Sequence, residues 1–243
     1  MIKALKQLAR RILWALRLDI TKNLQYDRQT LQILERVLKA DSNCIDIGCH
    51  KGEILELFIN LAPQGTHYAF EPIPPMFKVL QDKFAGKKVN LFQLALSNEK
   101  GKTTFNFVRN APAYSGLKQR RYDTSNPDIE VIPVEIDLLD NIIPSNSSVG
   151  LIKIDVEGGE FGVLKGGIKT IIRCKPHIVF ECGLGGSDFY GTKPDAIFSF
   201  LSVECGLKIN TLAGFLNNQP ALSLSGFTQY FYTNSEYYFI AYP

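Results

Sequence analysis

The chain has 243 residues, 45% of them hydrophobic and 21% charged, with a formal net charge of +3. That is enough to bury a core without staples, and too little charge to make nucleic acid the main partner. The five cysteines, Cys44, Cys49, Cys174, Cys182 and Cys205, form no C-x-x-C pair, which argues against zinc and fits the reduced thiols of a cytosolic protein.

Residues 1–40 read as a helical segment ahead of one domain over 41–243. In the first helix Ile2, Leu5, Leu8, Ile12, Leu13 and Leu16 share a face, with Lys3, Lys6, Arg10 and Arg17 largely off it. Such a helix packs on its own domain or on a second copy, or lies on an anionic membrane. It lacks a signal peptide's cleavage site, and no run reaches the ~20 apolar residues of a membrane span. Leu31, Ile33, Leu34, Val37 and Leu38 mark a second helix.

Strands are then expected at 43–48, 67–71, 89–96, 103–108, 131–136, 151–156, 177–181, 207–212 and 237–241, with helices after the first two, at 158–173 and at 194–204. Alternating strands and helices imply a doubly wound, mostly parallel α/β sheet. Residues 109–128 read as a loop whose cluster Lys118, Arg120 and Arg121 is either a solvated surface or an attractor for an anionic acceptor. Phe215, Phe227, Tyr230, Phe231 and Tyr232 are either an acceptor pocket or the core of a β-hairpin.

The chemistry gathers at strand ends. Residues 44–52, C-I-D-I-G-C-H-K-G, form a strand that breaks at Gly48 and restarts as a helix at Gly52. The middle glycine of a dinucleotide fingerprint is missing, which suits a ligand with an adenosine but no pyrophosphate. Glu71 ends the second strand at about the distance where nucleotide folds place a ribose-binding carboxylate, and Asp46, within the first strand, is placed either to orient a backbone amide or to face a cationic amino group. S-adenosylmethionine carries the matching adenine, ribose, ammonium and sulfonium. Further on, Asp155, Glu157 and Glu160 put three carboxylates in six residues beside Lys153, and Glu181 ends the next strand. Crowded like charges raise a carboxyl pKa, which suits a general base; Asp155 or Glu157 is the expected choice. Glu160 also reads as a first-turn acid stabilised by the helix dipole. Cys49 lies in the ligand turn without the base and orienter that a nucleophile needs. Nothing in the pattern calls for a metal ion.

C-I-D-I-G-C-H-K-G over 44–52, Y-A-F-E-P over 68–72, A-L-S-N over 95–98 and, most specifically, K-I-D-V-E-G-G-E over 153–160 resemble the FkbM-type methyltransferases. The likeness runs in order through residues 43–182. It departs at Cys49-His50, where the family often has Ala-Asn. It implies a Rossmann-like, seven-stranded methyltransferase fold and an S-adenosylmethionine-dependent O-methyltransferase. Asp46, Gly48 and Gly52 would then shape the methionine side of the donor pocket and Glu71 and Pro72 its ribose end, while Leu96 and Ser97 would border the adenine. Asp155 would face the methyl group or the acceptor, a hydroxyl of a sugar or another small natural product, while Glu157 and Glu181 stand beside it as candidate bases from the residues alone. Two other readings of the same residues are an NAD-type oxidoreductase and a non-catalytic cofactor-binding partner subunit. A cytoplasmic protein is expected, with membrane-surface or dimer contact through the first helix.

Overall fold

The computed structural model describes residues 21–122 and 125–243. The basic amphipathic helix expected at the start of the chain lies outside the described residues. The rest begins with α1 (Lys22–Val37), β1 (Cys44–Ile47), α2 (Glu53–Leu61), β2 (His67–Phe70), α3 (Pro74–Lys83) and β3 (Val89–Phe92). Next come β4 (Ala95–Leu96), β5 (Gly101–Val108), β6 (Ile129–Asp137), α4 (Leu139–Ile142) and β7 (Leu151–Ile154). The chain ends with α5 (Glu160–Gly166), α6 (Ile168–Cys174), β8 (His177–Glu181), α7 (Pro194–Ser199), β9 (Lys208–Thr211), α8 (Leu212–Leu216), α9 (Leu224–Thr233) and β10 (Tyr238–Tyr242).

Seven strands form one sheet in the order β3-β2-β1-β7-β8-β10-β9, parallel except that β10 runs antiparallel to both β8 and β9. All four residues of β1, β2 and β7 are buried, as expected of parallel strands covered on both faces. The register pairs Asp46 with Lys153 and Ile47 with Ile154. The chain reverses strand order beside β1, and in open α/β sheets that is where the crevice for a ligand opens. Among the described residues no helix is long and apolar enough to cross a membrane.

Four expectations need correction. The strand expected at 89–96 is two: β3 closes one edge of the large sheet, and β4 pairs with β6 in a separate sheet of order β4-β6-β5. The apolar run is continuous, but its second half finds its partner far downstream, which periodicity does not reveal. The helix expected at 158–173 divides at Gly166–Gly167, where a Cβ on Gly166 would sit 2.1 Å from the Ser97 carbonyl oxygen. The aromatic stretch after 215 is not a hairpin but α8 and α9, with Ser223 capping α9 through the Gly226 N–H (3.2 Å). Phe227 and Phe231, four apart, are buried on one helix face, and Phe227 packs 4.7 Å from the Phe239 ring. Lastly, a boundary at residue 40 separates nothing: Tyr26 and Ile33 of α1 pack with Val179, Leu212 and Ile240.

Candidate functional site

A cavity of about 590 Å³ opens at the carboxyl ends of β1, β2, β7 and β8. Its first half is built at the end of β1. Gly48 has φ +77° and Gly52 φ +69°, and a Cβ on Gly48 would fall 1.9 Å from the Asp155 carbonyl oxygen. Glycine is therefore required at 48 both for the turn and for the contact between the ends of β1 and β7. The turn is tied across the sheet by the N–H groups of Gly48 and Cys49, which both donate to the Phe70 carbonyl at 3.1 Å.

Two buried carboxylates face this half. Glu71 accepts from the backbone N–H of His50 on one oxygen and of Ile73 on the other, each at 2.9 Å. Burial nevertheless pushes its carboxyl up to about 7. Asp46 is 1% exposed and lines the cavity, yet neither carboxylate oxygen has a hydrogen-bond partner. Burial pushes it up to about 6, with the Lys153 ammonium pulling it back. A buried carboxylate with two open oxygens on a cavity wall is a demand for a cation or an N–H donor. Pro72 and Leu96 line the same cavity. Ser97 lines a smaller neighbouring depression instead.

The second half gathers at the ends of β7 and β8. Carboxylate oxygens of Asp155, Glu157 and Glu181 lie within 4.8 Å of one another. Asp155 is locked, accepting from Lys153 Nζ at 2.9 Å and from the Tyr238 hydroxyl at 2.6 Å. Burial raises its carboxyl, but Lys153 and Tyr238 outweigh burial and hold it below the usual range. Asp155 is therefore not a carboxyl with a raised pKa, whereas Glu181 is pushed up to about 8 by burial and then by the carboxylates of Asp155 and Glu160. Glu157 sits at φ +61° in an ion pair with Arg120, whose guanidinium also lies 4.0 Å from Glu181 and over the Tyr114 ring. Of the basic cluster, Arg120 and Arg121 line the cavity, and Arg120 pairs there with a carboxylate of the site. Glu160 braces the turn, accepting from the N–H groups of Val156 and Gly158 at 3.0 and 3.1 Å.

Burial pushes the Cys49 thiol well up, leaving it a neutral wall. None of Phe215, Phe227, Tyr230, Phe231 and Tyr232 lines the cavity; Tyr26, Tyr114, Tyr237 and Tyr238 do. Tyr238 was the residue the sequence hid best. It opens the last strand without any motif, and only the antiparallel insertion of β10 beside β8 brings it to Asp155.

Residues 46–209 match the family described as the methyltransferase FkbM domain. The 2-O-methyltransferase NoeI of Sinorhizobium fredii (strain NBRC 101917 / NGR234) is 27% identical over 173 residues, 64% of this chain and 68% of that protein. Methyltransferase 1 of Beauveria bassiana (strain ARSEF 2860) is 27% identical over 145 residues, covering 52% of this chain and 58% of its own. Among solved structures, methyltransferase FkbM from Methylobacillus flagellatus KT superposes with a TM-score of 0.54 at 16% identity, over 88% of this chain and 47% of that one. This chain therefore spans about half the length of that structure, and the likeness is one of fold.

Proposed function

Because the chain belongs to the FkbM family of methyltransferases, we propose that it transfers a methyl group from S-adenosylmethionine to a hydroxyl of a sugar or another small natural product. The observation that carries the donor is Asp46, whose two unpartnered oxygens on the cavity wall match an ammonium group. Glu71 keeps open lone pairs beyond its two backbone N–H bonds, and these suit ribose hydroxyls. Pro72, Ile73 and Leu96 offer apolar walls for the adenine.

Bound there, the donor supplies an activated methyl on a sulfonium. The protein's remaining tasks are to align an acceptor oxygen and to remove its proton. Glu181 takes the proton: its carboxyl, pushed up to about 8, is the best matched of the cluster to an alcohol near neutral pH. Asp155 stays ionised and fixed by Lys153 and Tyr238, a steady negative charge beside the sulfonium. An O-linked acceptor is supported by NoeI, a 2-O-methyltransferase by name, and by the crowd of carboxylates and tyrosines, which suits hydroxyl groups.

The test is methyl transfer from labelled S-adenosylmethionine to a panel of neutral glycosides. Transfer to oxygen is expected, falling about 10²- to 10⁴-fold in Glu181→Gln, as loss of a positioned base does. Transfer that Glu181→Gln leaves intact overturns the choice of base. Absence of transfer to any hydroxyl compound in the panel, with the donor bound, overturns the acceptor class.

A further inference from the structure

Arg120 belongs to the segment between β5 and β6, far in sequence from every carboxylate of the site. The chain is pinned on both sides of it. The Lys118 N–H donates to the Tyr190 hydroxyl at 2.9 Å, and the Arg121 N–H donates to the Gly185 carbonyl at 3.0 Å. Between these bonds the Arg120 side chain, only 12% exposed, turns into the cavity. Its guanidinium rests beside Gly186, where an added Cβ would lie 3.8 Å away, and stacks 5.3 Å from the Tyr114 ring centre. One nitrogen pairs with Glu157, another stands 4.0 Å from Glu181, and its buried Nε–H has no partner.

The charges around Glu181 come from every side. β7 and the residue after it contribute Lys153 and Asp155, the following turn Glu157, α5 Glu160, and β10 the Tyr238 hydroxyl. Lys153 is engaged by Asp155 and lies near Asp46. Arg120 is the cation that pairs with Glu157 and stands 4.0 Å from Glu181. A guanidinium is suited to this place because it stays charged and spans two carboxylates with a rigid fork.

We propose that Arg120 is a positioning residue for methyl transfer, clamping Glu157 and setting the charge of Glu181 so that the carboxylate facing the acceptor is ready to take its proton. The proposal rests on the reading of Glu181 as the base. It makes the 116–122 segment part of the reaction apparatus. Without the arginine, three carboxylates face one another beside a lysine already engaged by Asp155, and Glu181 holds its proton to still higher pH.

The test is ¹³C NMR titration of the full chain labelled at the glutamate side-chain carboxyls, with Glu181→Gln to assign the signal. In the wild type the Glu181 midpoint is expected at about 8. In Arg120→Met, and in Arg120→Gln as a second variant, it is expected to climb by about one pH unit or more, the effect of losing an opposite charge at this range. In Arg120→Lys, which keeps the charge, it is expected to climb by less than half as much. An arginine that only braces the fold would lower the melting temperature and leave the midpoint in place. That result in a variant with a native amide spectrum overturns the proposal, and so does a midpoint that falls. The titration needs neither donor nor acceptor. A failure of methyl transfer would therefore sink the base assignment and leave the shift standing, whereas an unmoved midpoint would sink Arg120 and leave donor binding untouched.

Discussion

The two halves of the cavity are built in opposite ways. The donor half is local: Asp46, Gly48 and Gly52 lie in one strand-turn-helix, and Glu71 and Pro72 end the adjoining parallel strand. Its carboxylates are either fully open, as in Asp46, or tied to main chain, as in Glu71. The acceptor half is assembled from distant pieces. Asp155 follows β7, Glu181 ends β8, Tyr238 comes from β10 and Arg120 from the loop between β5 and β6, and most of these side chains are neutralised by one another. The difference teaches that the half proposed for the donor presents a carboxylate without a hydrogen-bond partner, while the half proposed for the acceptor is a charge cluster whose members partner one another.

The harshest way to break the comparison is Gly48→Ala, because that residue joins the halves. A Cβ there meets the Asp155 carbonyl at 1.9 Å and the backbone stands at φ +77°. A loss of about 3 kcal/mol or more in a denaturant melt is expected, with both halves disabled. A milder cut touches one half only. Asp46→Asn is expected to weaken donor binding about 10- to 100-fold, through loss of a charge-assisted contact. The same change is expected to raise the melting temperature of the unliganded protein, because burial of the Asp46 charge without a hydrogen bond costs more than the Lys153 ammonium returns. Smaller again, Tyr238→Phe takes one hydrogen bond from Asp155 and is expected to slow methyl transfer about tenfold with donor affinity unchanged, which paired calorimetry and rate measurements would check.

A pH series sharpens the contrast without any substitution. The Asp46 carboxyl is raised, so its charge is present above about 6 and lost as the pH falls through that value; donor affinity is expected to fall with it. The Glu181 carboxyl is raised further, so the ionised base accumulates only as the pH climbs through about 8. Between these two values donor binding is expected to change only through Glu71, whose carboxyl stands at about 7, while turnover climbs on through about 8. Coincident profiles would mean that one group governs both halves.

This division also explains what could be read from the chain. The glycine turn, Glu71 and the K-I-D-V-E-G-G-E stretch lie in short contiguous runs, so the parallel order around β1 and most of the donor half were legible. The motif A-L-S-N names residues without saying which depression each one lines, and Ser97 lines the smaller one. The split of 89–96 was hidden because an apolar run does not say which sheet it joins. Phe227 and Phe231 carried a helical spacing of four that was outweighed by their aromatic, strand-favouring character. Arg120 and Tyr238 reach the site through tertiary contacts alone, with Tyr238 83 positions from the Asp155 it bonds. The crowding of carboxylates in the sequence does not reveal the two donors, Lys153 and Tyr238, that hold the Asp155 carboxyl low.

The most direct measurement is calorimetric titration of the purified protein with S-adenosylmethionine near pH 7.5, alongside Asp46→Asn. One donor bound per chain, with affinity at least tenfold weaker in the variant, is the predicted result. No binding to the wild type, or equal binding by the variant, would contradict a donor pocket built around the open carboxylate of Asp46.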